Sequence, residues 1–184
     1  NHATRVNPFE LARVADVGDV RFAEVFDIAA ATRDIEAFVA RIVAAGAVPL
    51  AAGGDHSVTY PIFRALAGPQ ARPASPIGPI GMIHIDAHCD TWGPFKRSKF
   101  HHGAPFRLAV EDGLLDPRRT IQIGIRGGQN TTDTWDWSEQ AGMRVVYIEE
   151  FEDLGVEGVI AEARRVVGDG PTYITFDVDG LDPV

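Results

Sequence analysis

The chain has little of several residue classes and motifs that would place it in a specialised group of proteins. Its 184 residues include one cysteine, so no disulfide can form within the chain, and we expect a reducing, cytoplasmic location. No apolar run approaches the length of a membrane-spanning helix and no signal peptide opens the sequence, so no membrane association is expected.

Positive charge is also scarce. Lys and Arg number 17 against 26 Asp and Glu, which gives a formal net charge of -9. Without a basic patch the chain cannot neutralise many phosphates, so we expect no nucleic-acid partner. An acidic chain of this kind is compatible with a small cationic ligand.

The overall composition predicts one domain with a real core. Hydrophobic residues make up 45% of the chain, and no change in composition marks a linker, so residues 1–184 are predicted to form a single domain. The sequence has no initiator methionine, and residues 1–15 show no clear element. We therefore expect it to be an excerpt of a larger protein, incomplete at both ends.

Apolar runs alternate with helical patterns along the chain. Helices are predicted over Ile28–Ala45, Val58–Ala67, Pro105–Glu111, Thr132–Ala141 and Val156–Val167, and strands over Ala47–Ala52, the run ending at Ile85, Thr120–Ile125, Arg144–Ile148 and Pro171–Val178. This alternation predicts a parallel sheet with helices on both faces, a three-layer α/β/α sandwich. The acidic run from Glu149 to Asp153 is interpreted as a solvated turn.

The most informative stretch is an apolar run that ends in polar side chains, Ile83-His84-Ile85-Asp86-Ala87-His88-Cys89-Asp90. Side chains of a strand alternate between its faces, which would place Asp86, His88 and Asp90 together. Two carboxylates and an imidazole suit a divalent cation, at the strand end where α/β sheets bind ligands. The alternative is a polar strand end that makes ordinary hydrogen bonds.

Two other residues of this stretch have simpler interpretations. His84 shares the face of Asp86 but lies one step deeper, so we interpret it as a buried, hydrogen-bonded histidine rather than as a ligand. Cys89 faces away from the ligands by the same alternation, which favours a small core residue over a nucleophile.

Asp177 and Asp179 repeat the pattern near the end of the chain. They share a face after the run from Tyr173, whose alternate residues Ile174, Phe176 and Val178 are predicted to face the core. We expect the same site to collect both carboxylates. Asp182 precedes Pro183 and is interpreted mainly as a turn residue.

A third stretch, Gly53-Gly54-Asp55-His56-Ser57, follows the run Ala47–Ala52. The glycines permit a tight turn, Asp55 or Ser57 can cap the next helix, and His56 is held at the strand end. Taken alone, a histidine in this position is more often structural than a metal ligand.

The number of donors favours two metal ions over one. Four carboxylates (Asp86, Asp90, Asp177, Asp179) and two imidazoles (His56, His88) would fill the shell of one ion and leave no room for substrate or water. Two ions that share carboxylates and a water fit better. Oxygen-rich ligation without thiolates favours manganese over zinc.

These stretches together resemble the ureohydrolases, the arginase and agmatinase family of dinuclear manganese enzymes that release urea from guanidino groups. The resemblance runs from about Val14 to the last residue and rests on Gly53-Gly54-Asp55-His56-Ser57, Asp86-Ala87-His88-Cys89-Asp90-Thr91 and Thr175-Phe176-Asp177-Val178-Asp179-Gly180-Leu181-Asp182-Pro183. It implies the fold shared by arginases and deacetylases, and a homo-oligomer, a trimer or hexamer.

The resemblance also implies residue roles. One manganese ion would take His56, Asp86, Asp90 and Asp177, and the other would take Asp86, His88, Asp177 and Asp179. Asp90 would orient the attacking hydroxide, and His102, rather than His101, would transfer a proton to the leaving amine. The family also has a glutamate that grips the guanidinium, in a segment that would follow Val184.

Residues 90–92 and 102–107 are most similar to the agmatinase and guanidinobutyrase branch. The expected reaction is therefore conversion of agmatine to putrescine and urea, a step of polyamine biosynthesis. Guanidinobutyrase or arginase activity on the same fold stays open. A single-zinc deacetylase-like hydrolase and a non-catalytic metal-binding homologue are further alternatives.

Overall fold

A four-stranded parallel sheet forms the centre of the molecule. The computed structural model describes residues 2, 4–69, 78–128 and 133–181. The strands are β1 (Ile80–Ile85), β2 (Leu115–Ile125), β3 (Arg144–Tyr147) and β4 (Thr172–Phe176), in the order β3-β2-β1-β4. β1 is therefore an inner strand with a parallel neighbour on each side.

Helices occupy both faces of this sheet. They are α1 (Pro8–Leu11), α2 (Ile28–Ala44), α3 (Thr59–Ala67), α4 (Pro105–Glu111), α5 (Asp133–Ala141) and α6 (Ile148–Val167), with 3₁₀ turns at His56–Val58 and Val178–Gly180. The predicted three-layer α/β arrangement with a parallel sheet is confirmed.

Alternate residues of β1 serve two different cores. Met82 packs with Phe63 of α3 and Phe106 of α4, whereas its neighbour Ile83 packs on the side covered by Val159 of α6. His84 follows with the same orientation as Met82 and is fully buried. The face that carries α3 and α4 is therefore the face that leads to the polar end of β1.

Most predicted elements lie where the sequence pattern places them. α2, α3 and α4 agree with their predicted ranges to within a residue. Asp27 caps α2 through the N–H groups of Ala29 and Ala30, and Pro105 opens α4 in the first turn. Thr132, the predicted first residue of α5, and most of the predicted loop before β1 fall outside the described residues.

The predicted strand over Ala47–Ala52 and the predicted burial of Ile174, Phe176 and Val178 are wrong. Ala47–Ala52 forms no strand, and its Val48 and Leu50 are 92% and 96% exposed, because no described strand lies beside it to complete a ladder. Ile174 and Phe176 of β4 are 65% and 52% exposed, because no described element covers that part of the sheet. Val178, predicted to face the core with them, is likewise exposed.

The acidic run is helical rather than a solvated turn. Residues Glu149 and Glu150 form the first turn of α6, where negative charge is favoured by the helix dipole. Glu150 also pairs with Arg144 at the start of β3. A break at Gly155 then separates this first part of α6 from the helix that was predicted from Val156 onward.

Among the described residues, every helix is too short or too polar to cross a bilayer.

The break in α6 generates a stability prediction. Gly155 has φ 65° and ψ 173°, a conformation open almost only to glycine, and an added Cβ would meet nothing within 4 Å. Backbone strain alone should therefore make Gly155→Ala lower the free energy of unfolding by about 1–3 kcal/mol in urea titrations. Gly78→Ala is the matched control, since it also meets open space and has no positive φ. Equal stability of the two variants would contradict this account.

Candidate metal centre

All seven predicted site residues line one cleft of about 390 Å³. The cleft lies where β1 and β4 end, because Asp86 follows β1 and Asp177 follows β4 in neighbouring parallel strands. The N–H of Asp177 donates to the carbonyl of Ile85 at 2.9 Å, which holds the two strand ends together. The lining residues that were predicted are His56, Asp86, His88, Asp90, His102, Asp177 and Asp179.

His56 stands at the centre of the first cluster. Its Nδ1 lies 2.9 Å from Oδ2 of Asp90 and 3.3 Å from Oδ2 of both Asp86 and Asp177. Its Nε2 lies 3.0 Å from the hydroxyl of Thr175 in β4, so the ring is held from its far side. This is the four-residue set that the family resemblance implies for one metal ion.

His88 forms the second cluster on the other side of Asp86. Its Nδ1 lies 3.0 Å from Oδ2 of Asp179 and 3.6 Å from Oδ1 of Asp86. Asp86 therefore offers one carboxylate oxygen to each cluster, as a bridging ligand must. Asp177, the other predicted bridge, has Oδ2 3.3 Å from Nδ1 of His56, and its Oδ1 accepts from the N–H of Asp179 at 3.1 Å.

Burial and neighbouring charges shift the pKa values of the clustered residues. Burial opposes the charged form of His56, but its contacts with Asp86 and Asp90 outweigh burial and raise its pKa to about 10. Burial would also raise the pKa of Asp86, yet His56 and His84 hold it well below its usual range. Burial and the nearby Asp86 raise the pKa of Asp179. The carboxylates thus require positive charge between them.

The donor set fits divalent cations. Nδ1 of His56 is buried and makes no hydrogen bond, although three carboxylate oxygens surround it. The carboxylates favour a positive charge at this ring, and a divalent cation bound among their oxygens would supply that charge in place of the Nδ1 proton. Two groups of closely spaced candidate ligands share Asp86: one contains His56, His84 and Asp86, and the other contains Asp86, His88 and Asp179.

The ligands do not gather for the predicted reason. β1 ends at Ile85, so strand alternation no longer applies at His88 and Asp90. A tight turn brings them round instead: the N–H of His88 donates to Oδ1 of Asp86 at 2.6 Å, and Asp90 has φ 51° in the left-handed region. Such a conformation in a non-glycine residue persists only when its surroundings enforce it.

Thr91 holds the strained Asp90 in place. Its side chain is fully buried, with Oγ1 2.8 Å from the Ser138 hydroxyl and donating to the carbonyl of Thr134 at 2.9 Å, both in α5. This anchoring role was not predicted, because nothing in the local sequence links Thr91 to a helix more than forty residues later.

The two adjacent histidines of the 92–103 loop differ in position. His102 is at the mouth of the cleft, with its side chain 71% exposed and Nδ1 3.9 Å from Oδ2 of Asp55. His101 turns towards the loop itself and pairs with the carbonyl of Gly93 at 3.0 Å. The geometry thus leaves His102 free to meet a ligand, as the resemblance implies.

Several neighbours of the ligands have roles that sequence patterns indicated in part. Asp55 caps the 3₁₀ turn through the N–H of Ser57 at 2.8 Å, as predicted, and also lines the cleft. Trp92 lines it as well. Cys89 is buried, as predicted, and burial raises the pKa of its thiol to about 12. Asp182 lies outside the described residues.

Comparisons with known proteins point to one family. A sequence profile of the arginase family matches residues 1–184. The guanidinopropionase of Pseudomonas aeruginosa is 50% identical over 184 residues, which cover 100% of this chain and 55% of that protein. The mitochondrial agmatinase of Gallus gallus is 43% identical over 183 residues, 100% of this chain and 52% of that protein.

The fold comparison agrees. The solved structure of proclavaminate amidino hydrolase from Streptomyces clavuligerus superposes with a TM-score of 0.83 at 33% identity, over 97% of this chain and 57% of that one. The chain thus spans about half the length of the curated relatives it matches.

The packing of His88 generates a prediction for cation binding. An added Cβ at Gly127 would lie 2.3 Å from two ring atoms of His88 and 2.8 Å from the Ala87 carbonyl oxygen. Gly127→Ala should displace the imidazole and weaken manganese binding about 10-fold or more in calorimetric titrations. Gly128→Ala is the control, because a Cβ there meets nothing within 4 Å. Unchanged binding in Gly127→Ala would show that His88 does not need this position.

Proposed function

The chain belongs to the arginase family, and we propose that its protein hydrolyses a guanidino compound to urea and an amine at a dinuclear manganese centre. The observation that carries this proposal is the pair of imidazole–carboxylate clusters that share Asp86. A structural metal site needs only one ion whose coordination positions are all filled by the protein. A pair of adjacent cation sites beside a cleft instead suits hydrolysis.

Each cluster would hold one ion. His56, Asp90 and oxygens of Asp86 and Asp177 would bind the first, and His88, Asp179 and the same two bridging carboxylates would bind the second. We propose manganese because oxygen ligands predominate and no thiolate is available in the cleft. When bound, the two ions would lower the pKa of a shared water enough to supply hydroxide near neutral pH.

The side chains of the chain then have distinct tasks. The carboxylate of Asp90, held in its left-handed conformation by the Thr91 anchor, would accept a hydrogen bond from the attacking water and orient it. His102, exposed at the cleft mouth, would hold a proton and pass it to the leaving nitrogen.

Agmatine is the first candidate substrate. Asp90-Thr91-Trp92 and residues 102–107 are similar to the agmatinase and guanidinobutyrase branch, and the cleft is lined by five carboxylates that attract a guanidinium. A named relative with 43% identity is an agmatinase. The product would be putrescine, which would connect the enzyme with polyamine biosynthesis.

A guanidino acid is the second candidate. The relative that is 50% identical is named guanidinopropionase. The 92–103 loop, which lines the cleft through Trp92 and His102, also carries Lys96, Arg97 and Lys99. These cations would attract a substrate whose far end is a carboxylate and would repel the second amine of agmatine.

We expect urea release from four guanidino compounds to distinguish these candidate substrates. The complete protein with saturating manganese is given agmatine, 3-guanidinopropanoate, 4-guanidinobutanoate and L-arginine at equal concentrations, and urea release is measured. We expect agmatine or one of the two guanidino acids to exceed L-arginine by about 100-fold or more in kcat/KM, because binding differences of a few kcal/mol accompany a misplaced charge. L-arginine as the best substrate would contradict the ranking, and no urea from any of the four would contradict the function.

The shared carboxylate generates a second prediction. Asp86→Asn should remove both manganese ions, because one oxygen of Asp86 faces each cluster. His56→Asn and His88→Asn should each retain about one ion, since each imidazole belongs to one cluster. Metal analysis of the dialysed proteins measures the stoichiometry. One tightly bound ion per chain in an active wild-type enzyme would rule out the dinuclear centre.

Three further statements are proposals on the same basis. By resemblance to the family we propose a homo-oligomer, either a trimer or a hexamer. We propose a cytoplasmic location, which the single cysteine supports. We also propose that residues 1–184 belong to one ureohydrolase domain.

A further inference from the structure

We infer that His84 and Gln122 are positioning residues that orient the bridging carboxylate of Asp86 for both cation sites. The inference rests on the proposed function only in that Asp86 must bind metal. His84 and Gln122 are fully buried, and neither lines the cleft. Their closest polar contact with the site is the one between Nε2 of His84 and Oδ2 of Asp86 at 2.7 Å, and the His84 ring also contacts the His56 ring with centroids 5.4 Å apart.

The orientation of the Gln122 amide follows from a neighbouring group that can only accept hydrogen bonds. The carbonyl oxygen of Cys89 can only accept, and it lies 2.6 Å from Nε2 of Gln122. The amide of Gln122 must therefore present its NH₂ group to this carbonyl, because the opposite orientation would place two oxygens in contact. The same nitrogen lies 3.1 Å from Nδ1 of His84 and has a second hydrogen to donate.

This donation determines the tautomer of His84. Nδ1 accepts from Gln122, so the neutral imidazole carries its hydrogen on Nε2. Nε2 lies 2.7 Å from Oδ2 of Asp86 and therefore donates to it. The ring also packs on Phe106 with centroids 4.5 Å apart, which limits its rotation. A single donor chain thus runs from a backbone carbonyl through Gln122 and His84 to the carboxylate.

The carboxylate of Asp86 is consequently held at both oxygens. Oδ2 accepts from His84, and Oδ1 accepts from the N–H of His88 at 2.6 Å. A carboxylate oxygen has two lone pairs, so each retains one for a cation. Oδ2 faces Nδ1 of His56 and Oδ1 faces Nδ1 of His88. Without the His84 contact, the carboxylate could rotate away from one cluster.

One feature of the network shows that its polar groups serve orientation rather than stability alone. Oε1 of Gln122 is buried and has no hydrogen-bond partner, which is unfavourable for folding. An apolar side chain at this strand position would avoid that penalty. The retained amide is accounted for by the two donations it makes, to Cys89 and to His84.

The test compares metal affinity across a double-mutant cycle in the complete protein. The variants are His84→Phe, Gln122→Leu, their combination, and His84→Gln, which restores a donor near the Nε2 position. Manganese dissociation constants are measured by the electron paramagnetic resonance signal of free Mn²⁺, and thermal unfolding of the metal-free proteins is recorded in parallel. Thr120→Val is the matched control, a fully buried polar residue of β2 whose hydroxyl donates to the Asp116 carbonyl.

We expect His84→Phe to weaken manganese binding about 10- to 100-fold, as loss of a group that supports a metal ligand does, and His84→Gln to recover most of it. Gln122→Leu should weaken binding in the same direction but less. The double variant should weaken binding by less than the product of the two single losses, because one of the two donations of Gln122 acts through His84. Thr120→Val should bind manganese like the wild type, even where its unfolding temperature falls.

Two outcomes would overturn the inference while the proposed function stands. One is a wild type that binds manganese and a folded His84→Phe within about two-fold of it. The other is a double variant whose manganese dissociation constant rises by the product of the two single-variant increases, which would show independent packing effects. If His84→Phe does not fold, Gln122→Leu decides by the same criterion. A wild-type protein that binds no manganese would overturn the proposed function itself, and this inference with it.

Discussion

Mutual repulsion among the carboxylates at the ends of β1 and β4 is the constraint on which the rest of the structure depends. Asp86, the most buried of them, contacts three imidazoles and shares its cleft with the other carboxylates. Burying such charges is unfavourable unless they are hydrogen-bonded and balanced by positive charge. The surrounding donors and the proposed cations provide that balance, and the fold supplies both within one cleft.

The parallel sheet explains how distant residues meet. β1 and β4 are adjacent, with Ile85 paired to Phe176, so the residues that follow each strand emerge side by side. His56 reaches them from the turn before α3, where Thr175 of β4 fixes its ring. Residues as distant in sequence as His56 and Thr175, 119 positions apart, therefore meet at one site, because parallel strands end at the same edge of a sheet.

Irregular backbone, rather than strand geometry, positions the ligand side chains at this edge of the sheet. The chain leaves strand geometry at Asp86, and the left-handed Asp90 aims its carboxylate back towards His56. Thr91 stabilises that turn from α5, and Gly127 leaves the space that the His88 ring occupies. Strain in the loop is thus offset by contacts with rigid elements, a common arrangement at functional sites.

The sequence by itself determined the three-layer class, most helix and strand positions, and the identity of the clustered site residues. Hydrophobic periodicity indicates which side chains are buried, and the acidic and histidine residues that follow β1 and β4 are recognisable from their order in the sequence. The same patterns failed for Ala47–Ala52 and for the outer residues of β4. Periodicity cannot reveal whether a neighbouring strand or helix is present to cover an apolar face.

The tertiary structure alone decided how the site is oriented. That His84 donates to Asp86, that Gln122 and Cys89 control this donation, and that Thr175 holds His56 all depend on side chains brought together across strands. Hydrogen bonds require approach to within about 3 Å and a defined angle, and neither can be read from spacing along the chain. Sequence specifies which groups are available, whereas the packing of β1 between β2 and β4 specifies which of them touch.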